Sequence, residues 1–237
     1  MKQYKALFLD WDDTIGDFLH AAHEGLQDVY NAYRMEPHYG SFDVFYDIYH
    51  KHNLQLWQQY GRDEVTKEYL SFDRFFYPLM LAPHPYSLEE ATALAPKIGH
   101  EFLELTTGHF RLLPDAEEVV RKLASRYPLT IVSNGFIEVQ YRKIRMSGLE
   151  NLFAHIVLSE EVGAQKPNPK IYQKALELNG CTADEVLMIG DSWTSDIQGA
   201  IAAGIDQLWV QTGCSTDDNL PATYKVSHLS DVLPLLM

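Results

Sequence analysis

The sequence predicts an α/β fold: a Rossmann-like, doubly wound parallel sheet with an inserted all-helical cap subdomain. Short apolar runs end abruptly in polar clusters, as strands buried on both faces do. Helix-like stretches alternate with those runs, which implies βαβ units. One long, helical, aromatic-rich segment interrupts the alternation after the first run.

The first run, Tyr4–Leu9, stops at Asp10-Trp11-Asp12-Asp13-Thr14. Leu129–Val132 stops at Ser133-Asn134-Gly135, Ile156–Leu158 at Ser159, and Val186–Ile189 at Gly190-Asp191. The last run, Gln207–Val210, stops at Gln211-Thr212-Gly213. Between them, Pro114-Asp115 opens a helix over Ala116–Arg126 with Val119, Val120 and Leu123 on one face. Ile137–Met146 closes at Gly148, Pro169 opens Lys170–Leu178 before Asn179-Gly180, and Thr194–Ala203 stops at Gly204, all ordinary helix punctuation. Ligands of such folds bind beyond the carboxyl ends of the strands, where each polar cluster falls.

From about Asp17 to Phe110 the pattern is helical, and Pro78, Pro83 and Pro85 punctuate it. Its aromatics, among them Phe45, Tyr49, Trp57 and Phe75, read first as packing core. The expected division is a core of residues 1–16 and 111–237 with a helical cap of residues 17–110. Asp217-Asp218-Asn219 reads as a solvated turn.

A chain of 237 residues has room for a sizeable core without staples. Its 33 acidic and 19 basic side chains give a net charge of -14, which argues against nucleic-acid polymers as partners. Cys181 and Cys214 lie far apart without metal-ligand spacing, so neither a disulfide scaffold nor a zinc module is expected. No apolar run approaches the roughly 18 residues of a membrane span. Asp10 cuts short the only N-terminal apolar stretch, so no signal peptide is expected. The expectation is a soluble, cytoplasmic monomer or homodimer acting on a small molecule.

Four clusters carry candidate chemistry, and each has an ordinary structural alternative. Asp10 and Asp12, two positions apart at a strand end, can share a cation while one does covalent chemistry; they can equally cap a turn. Ser133-Asn134-Gly135 precedes a helix, where unpaired N–H groups and the dipole favour an anion, or where Ser133 is a plain N-cap. Lys166, before Pro167-Asn168-Pro169, is a cation at the edge of a stiff turn or a solvated lysine. Asp191 and Asp196 are hard oxygen donors suited to Mg2+, or N-caps.

Jointly, Asp10-x-Asp12-x-Thr14, Ser133, Lys166 and Gly190-Asp191-x4-Asp196 resemble, in order and strand context, the four motifs of the haloacid dehalogenase superfamily. The resemblance covers essentially the whole chain. Ser133-Asn134-Gly135-Phe136, Leu158-Ser159-Glu160-Glu161-Val162-Gly163 with Lys166-Pro167-Asn168, and Leu56-Trp57 through Val65-Thr66 with Arg74-Phe75 look like the branch that dephosphorylates pyrimidine and non-standard nucleoside 5′-monophosphates. One departure stands out: Asp115 occupies a position where relatives usually have glycine, which puts the local turn in doubt.

The resemblance implies a Mg2+-dependent phosphatase working through an aspartyl-phosphate. Asp10 would be the nucleophile and Asp12 the general acid and base. Asp10, the Asp12 backbone carbonyl and Asp191 would hold the metal, with Asp196 ordering metal-bound water or Lys166. Ser133, Asn134 through its amide, and Lys166 would hold phosphate, and Thr14 would steady that loop. Asp12 favours phosphoryl transfer over the dehalogenase chemistry of the same fold, which needs no leaving-group acid. Cap aromatics could stack on a base, and Arg74 could meet the substrate or form a cap-stabilising ion pair. A nucleoside 5′-monophosphate is the expected substrate, ahead of a sugar or organic-acid phosphate, a phosphomutase reaction, or a non-catalytic binding role.

Overall fold

The structure, a computed structural model, describes residues 2–211 and 220–237. Cys214, the polar end at Thr212-Gly213 and the turn at Asp217-Asp218-Asn219 lie outside the described residues. The chain separates into two compact units, Met1–Asp17 with Arg111–Met237, and Phe18–Phe110.

The first unit is built on a six-stranded sheet. Its strands are Ala6–Leu9 (β1), Leu129–Ser133 (β2), Phe153–Leu158 (β3), Val186–Gly190 (β4), Asp206–Val210 (β5) and Tyr224–Val226 (β6). They lie in the order β3-β2-β1-β4-β5-β6, and every pairing is parallel. Strands β1, β2 and β4 are buried at every residue, which explains why they read as unbroken apolar runs rather than alternating ones. The sixth strand escapes the sequence reading because Tyr-Lys-Val is short and carries no apolar run.

Chain order decides where the site forms. From β1 the chain winds outward through β2 and β3, then returns to β4 on the opposite side of β1. The β1/β4 boundary is therefore the switch point, where crossovers leave a crevice beyond the strand ends. Leu9 pairs with Ile189, and the Asp10 amide donates to the Ile189 carbonyl at 2.9 Å. Asp10 and Asp191 are thereby carried to the same edge of that crevice.

The second unit contains Phe18–Ala32 (α1), Glu36–Tyr39 (α2), Phe42–Gly61 (α3), Lys67–Leu81 (α4) and Leu88–Gly108 (α5). Its core joins Leu26, Val29, Phe45, Tyr49, Phe75 and Phe102 from four of these helices. Phe75 meets Phe102 edge-on at 5.4 Å between ring centroids, a favoured aromatic geometry. The aromatics read as core divide: Phe45, Tyr49 and Phe75 are buried, whereas Tyr69 and Tyr77 are exposed. Pro78 does not punctuate the chain as expected but lies inside α4, and Pro96 lies inside α5. Burial of the flanking Phe75, Leu79 and Ala95, Ile98 outweighs the lost amide donors. Pro83 and Pro85 do fall between helices. Helix α5 starts with a capping box in which Ser87 accepts from the Glu90 amide and Glu90 accepts from the Ser87 amide.

The helices of the first unit are Ala116–Ala124 (α6), Ile137–Met146 (α7), Ser159–Val162 (α8), Pro169–Asn179 (α9), Gln198–Ala202 (α10) and Leu233–Leu236 (α11). The stretch read as one helix over Thr194–Ala203 instead begins with a wide turn. There the Ile197 amide reaches five residues back to the Ser192 carbonyl at 3.2 Å. Asp115 has φ of 62°, so the turn keeps the left-handed backbone that glycine adopts most easily. Where the chain leaves and re-enters this unit, Arg111 Nε donates to Asp17 Oδ2 at 2.8 Å and Gly16 bridges Leu112.

Candidate active site

Asp10, Thr14, Asp191, Asp196 and Lys166 converge at the switch point. Lys166 follows the short α8 and is buried; its ammonium donates to Asp10 Oδ1 at 2.5 Å and to Asp196 Oδ1 at 2.6 Å. Thr14, also buried, donates to Asp191 Oδ1 at 3.2 Å and approaches Asp10 Oδ2 at 3.5 Å. The Asp191 carbonyl accepts from the Trp209 indole at 2.8 Å, which ties the β4 end to β5.

Asp196 reaches this cluster because the wide turn folds it back under β4. Its Oδ2 accepts from the Ser192 amide at 3.0 Å. A Cβ on Gly190 would lie 2.4 Å from Asp196 Oδ2, so only glycine leaves room for that carboxylate.

Three carboxylates now crowd together, since Asp10, Asp191 and Asp196 each offer an oxygen within 4.8 Å of the others. Burial pushes the Asp10 carboxyl up to about 7, against the pull of Lys166. Burial, then the charges of Asp10 and Asp196, push Asp191 up to about 9. Burial opposes the Lys166 charge, but Asp10 and Asp196 outweigh it and hold the ammonium above its ordinary value. One lysine does not neutralise the cluster, so Asp10 and Asp191 hold their protons to higher pH than ordinary carboxyls do. Hard oxygen donors short of positive charge fit a divalent cation such as Mg2+.

The Asp12 side chain does not join this cluster. It turns toward α7, where Oδ1 accepts from Lys143 Nζ at 2.5 Å and Oδ2 from Gln140 Nε2 at 2.9 Å. Ser133 stands at the end of β2, next to β1. Its hydroxyl oxygen accepts from Gln140 Nε2 at 2.6 Å and from the Gly135 amide at 3.1 Å. The Asn134 side chain brackets the Lys166 backbone, donating to its carbonyl at 2.9 Å and accepting from its amide at 2.8 Å. That clamp fixes where Lys166 leaves the main chain.

Sequence reasoning passed over Gln140 and Lys143, although both are buried against the predicted residues. Their spacing of three on a helix opening just after Ser133 was the available signal, because residues three apart share a helix face.

Arg74 belongs to the helical unit and is 3% exposed. Among the described residues it forms no ion pair, the alternative to a substrate contact, and it does not lie at the surface. Its guanidinium lies 5.4 Å from the Phe75 ring centre and 5.2 Å from that of Phe102, and Nε and Nη2 have no hydrogen-bond partner. Burial pulls its pKa down. Among the described residues no helix is long and apolar enough to cross a membrane.

The family model for haloacid dehalogenase-like hydrolases matches residues 4–204. The HAD-hydrolase YfnB of Bacillus subtilis is 31% identical, over 100% of this chain and 97% of that protein. Its magnesium-bound crystal structure superposes with a TM-score of 0.84 at 26% identity, over 99% of both chains. The pyrimidine 5′-nucleotidase YjjG of Escherichia coli is 30% identical, over 97% of this chain and 96% of that protein. A glyceraldehyde 3-phosphate phosphatase of Pyrococcus furiosus is 28% identical, over 100% of this chain and 94% of that protein.

Proposed function

The chain belongs to the haloacid dehalogenase-like hydrolases and is a phosphoric monoester hydrolase, and from that premise we propose that it is a Mg2+-dependent phosphatase of nucleoside 5′-monophosphates working through an aspartyl-phosphate. The observation that carries the chemistry is the buried Asp10–Lys166–Asp196 arrangement beside Asp191 at the β1/β4 switch point.

Asp10 is proposed as the nucleophile: one carboxylate oxygen attacks phosphorus in line, and the bond to the leaving oxygen breaks. Asp12 gives that oxygen its proton, then takes one from the water that cleaves the acyl phosphate. Both products leave with Asp10 restored. Lys166 and Ser133, with the Asn134 amide, hold the non-bridging oxygens, and Lys166 offsets charge that grows on them. Thr14 steadies the phosphate loop by its tie to Asp191. Asp196 sets the position of Lys166. Asp10, Asp191 and the Asp12 carbonyl would hold a Mg2+ ion, which would supply screening between the anionic nucleophile and the anionic ester.

Residues 1–16 and 111–237 are proposed as the catalytic core and residues 17–110 as a substrate-selecting cap, with Arg74 its candidate recognition residue. The pyrimidine 5′-nucleotidase relative supports a nucleotide substrate. A sugar phosphate is the second reading, supported by the glyceraldehyde 3-phosphate phosphatase relative. A cytoplasmic location and a monomeric or homodimeric state complete the proposal.

Phosphate release from a panel of nucleoside monophosphates and sugar phosphates tests it, with and without EDTA. Mg2+-dependent release with nucleotides ahead supports the reading. Sugar phosphates ahead would replace the substrate, and no release from any ester would overturn the function.

A further inference from the structure

Gln140 is a fully buried polar side chain that the proposed chemistry does not yet use. Both hydrogens of its amide are committed: Nε2 donates to the Ser133 hydroxyl at 2.6 Å and to Asp12 Oδ2 at 2.9 Å. Its orientation is not free, because exchanging the amide oxygen and nitrogen would set an oxygen against the Asp12 carboxylate. The cost is visible in its carbonyl oxygen, which is buried without a partner. An apolar residue of similar size would fill this space without that cost. Packing therefore does not explain a glutamine here.

The neighbouring backbone is shaped to admit it. A Cβ on Gly135 would lie 2.3 Å from Gln140 Cδ and 2.5 Å from Nε2. Gly135 thus leaves the space in which the amide sits, much as Gly190 leaves space for Asp196. One helical turn on, Lys143 is also buried and donates to the other Asp12 oxygen at 2.5 Å. Asp12 is held at both oxygens from a single face of α7. Ser133 accepts from Gln140 and from the Gly135 amide, which leaves its own O–H to donate outward.

We infer that Gln140 is a positioning residue for phosphoryl transfer: seated against Gly135, it locks the Ser133 hydroxyl and the Asp12 carboxyl into one frame, which Lys143 completes. The inference rests on the phosphatase reading above, in which Ser133 meets phosphate and Asp12 meets the leaving oxygen. Loss of Gln140 then has two separable effects. Misplacing Ser133 weakens phosphate contact for every ester alike. Misplacing Asp12 harms only esters whose leaving oxygen needs a proton.

Leaving-group dependence is the test. p-Nitrophenolate departs unprotonated at neutral pH, whereas an alkoxide does not, so only alkyl esters depend on the acid in the step that kcat/KM reports. Wild type, Gln140→Leu, Lys143→Met and Gly135→Ala are assayed on p-nitrophenyl phosphate and on the alkyl ester that wild type hydrolyses best. Gln140→Leu is expected to lower kcat/KM for the alkyl ester about 100-fold and for the aryl ester about tenfold or less. Gly135→Ala is expected to share that bias, and Lys143→Met to show it even if Gln140→Leu does not fold. Equal losses on both esters, or none, in soluble variants with wild-type melting cooperativity would overturn the inference while leaving the phosphatase reading intact. A wild type that hydrolyses neither ester would overturn both.

Discussion

The two units of this chain bury charge in different ways. In the first, the strand ends gather Asp10, Asp191, Asp196 and Lys166, and the Lys166 ammonium pairs with two of the three carboxylates. In the second, the interior is aromatic and aliphatic, and Arg74 stands in it with two nitrogens unmatched. Carboxylates gathered in a crevice in excess of their one lysine can take up a proton or a cation. An unmatched buried guanidinium is a cost that packing alone does not repay. The contrast separates the residues proposed to do chemistry from those proposed to choose the substrate.

The strongest way to break this comparison is at the nucleophile. Asp10→Asn is expected to lower phosphatase turnover by about four orders of magnitude or more, and Asp12→Ala by about a hundred- to ten-thousand-fold. Steady-state assays on a soluble phosphate ester measure both. Wild-type turnover in Asp10→Asn would show that the crowded carboxylates are structural.

Arg74→Met sharpens the other side. Removing an unpaired buried charge is expected to raise the unfolding free energy by about 1–3 kcal/mol, measured by denaturant titration. If Arg74 selects the substrate, KM for the preferred ester rises about tenfold in the same variant, while an unchanged KM assigns it to neither task.

A smaller effect should appear in pH-dependent stability. The elevated carboxyls of Asp10 and Asp191 bind protons in the folded chain that an unfolded chain, with ordinary values near 3.8, has already released. The folded state therefore loses stability as pH rises from about 4 through about 7 and 9. Added Mg2+ is expected to reverse that trend, because it takes the place of the protons and binds most tightly at high pH. Melting curves in EDTA and in Mg2+ across this range check the sign. A Mg2+-free chain that became more stable with rising pH would contradict it.

The smallest effect concerns Asp115, at φ of 62°. Asp115→Gly should relieve left-handed strain and raise stability by about 1 kcal/mol or less, with no change in activity.

These contrasts also explain what the sequence made legible. Asp10 and Asp191 were visible because each follows an apolar strand and parallel strands deliver their ends to one edge, and Lys166 because it precedes the stiff Pro167-Asn168-Pro169 turn. Asp12 was visible as a residue, but its side chain faces α7 rather than the other carboxylates. Gln140 and Lys143 carry no motif of their own, since only the fold brings that face of α7 against Asp12 and Ser133. Pro78 misled because local propensity yields to the burial of Phe75 and Leu79. Arg74 could be named from its neighbours in the chain, but its isolation among rings follows from helix packing, which no local pattern encodes.

The central claim is that Asp10 carries the phosphoryl group during turnover. Rapid acid quenching of the enzyme with Mg2+ and its preferred ester, followed by peptide mass mapping, tests it most directly. The account predicts an acid-stable phosphoryl adduct on the peptide containing Asp10, which disappears in Asp10→Asn and on treatment with hydroxylamine. Steady phosphate release with no adduct at Asp10, or an adduct on another residue, would contradict it.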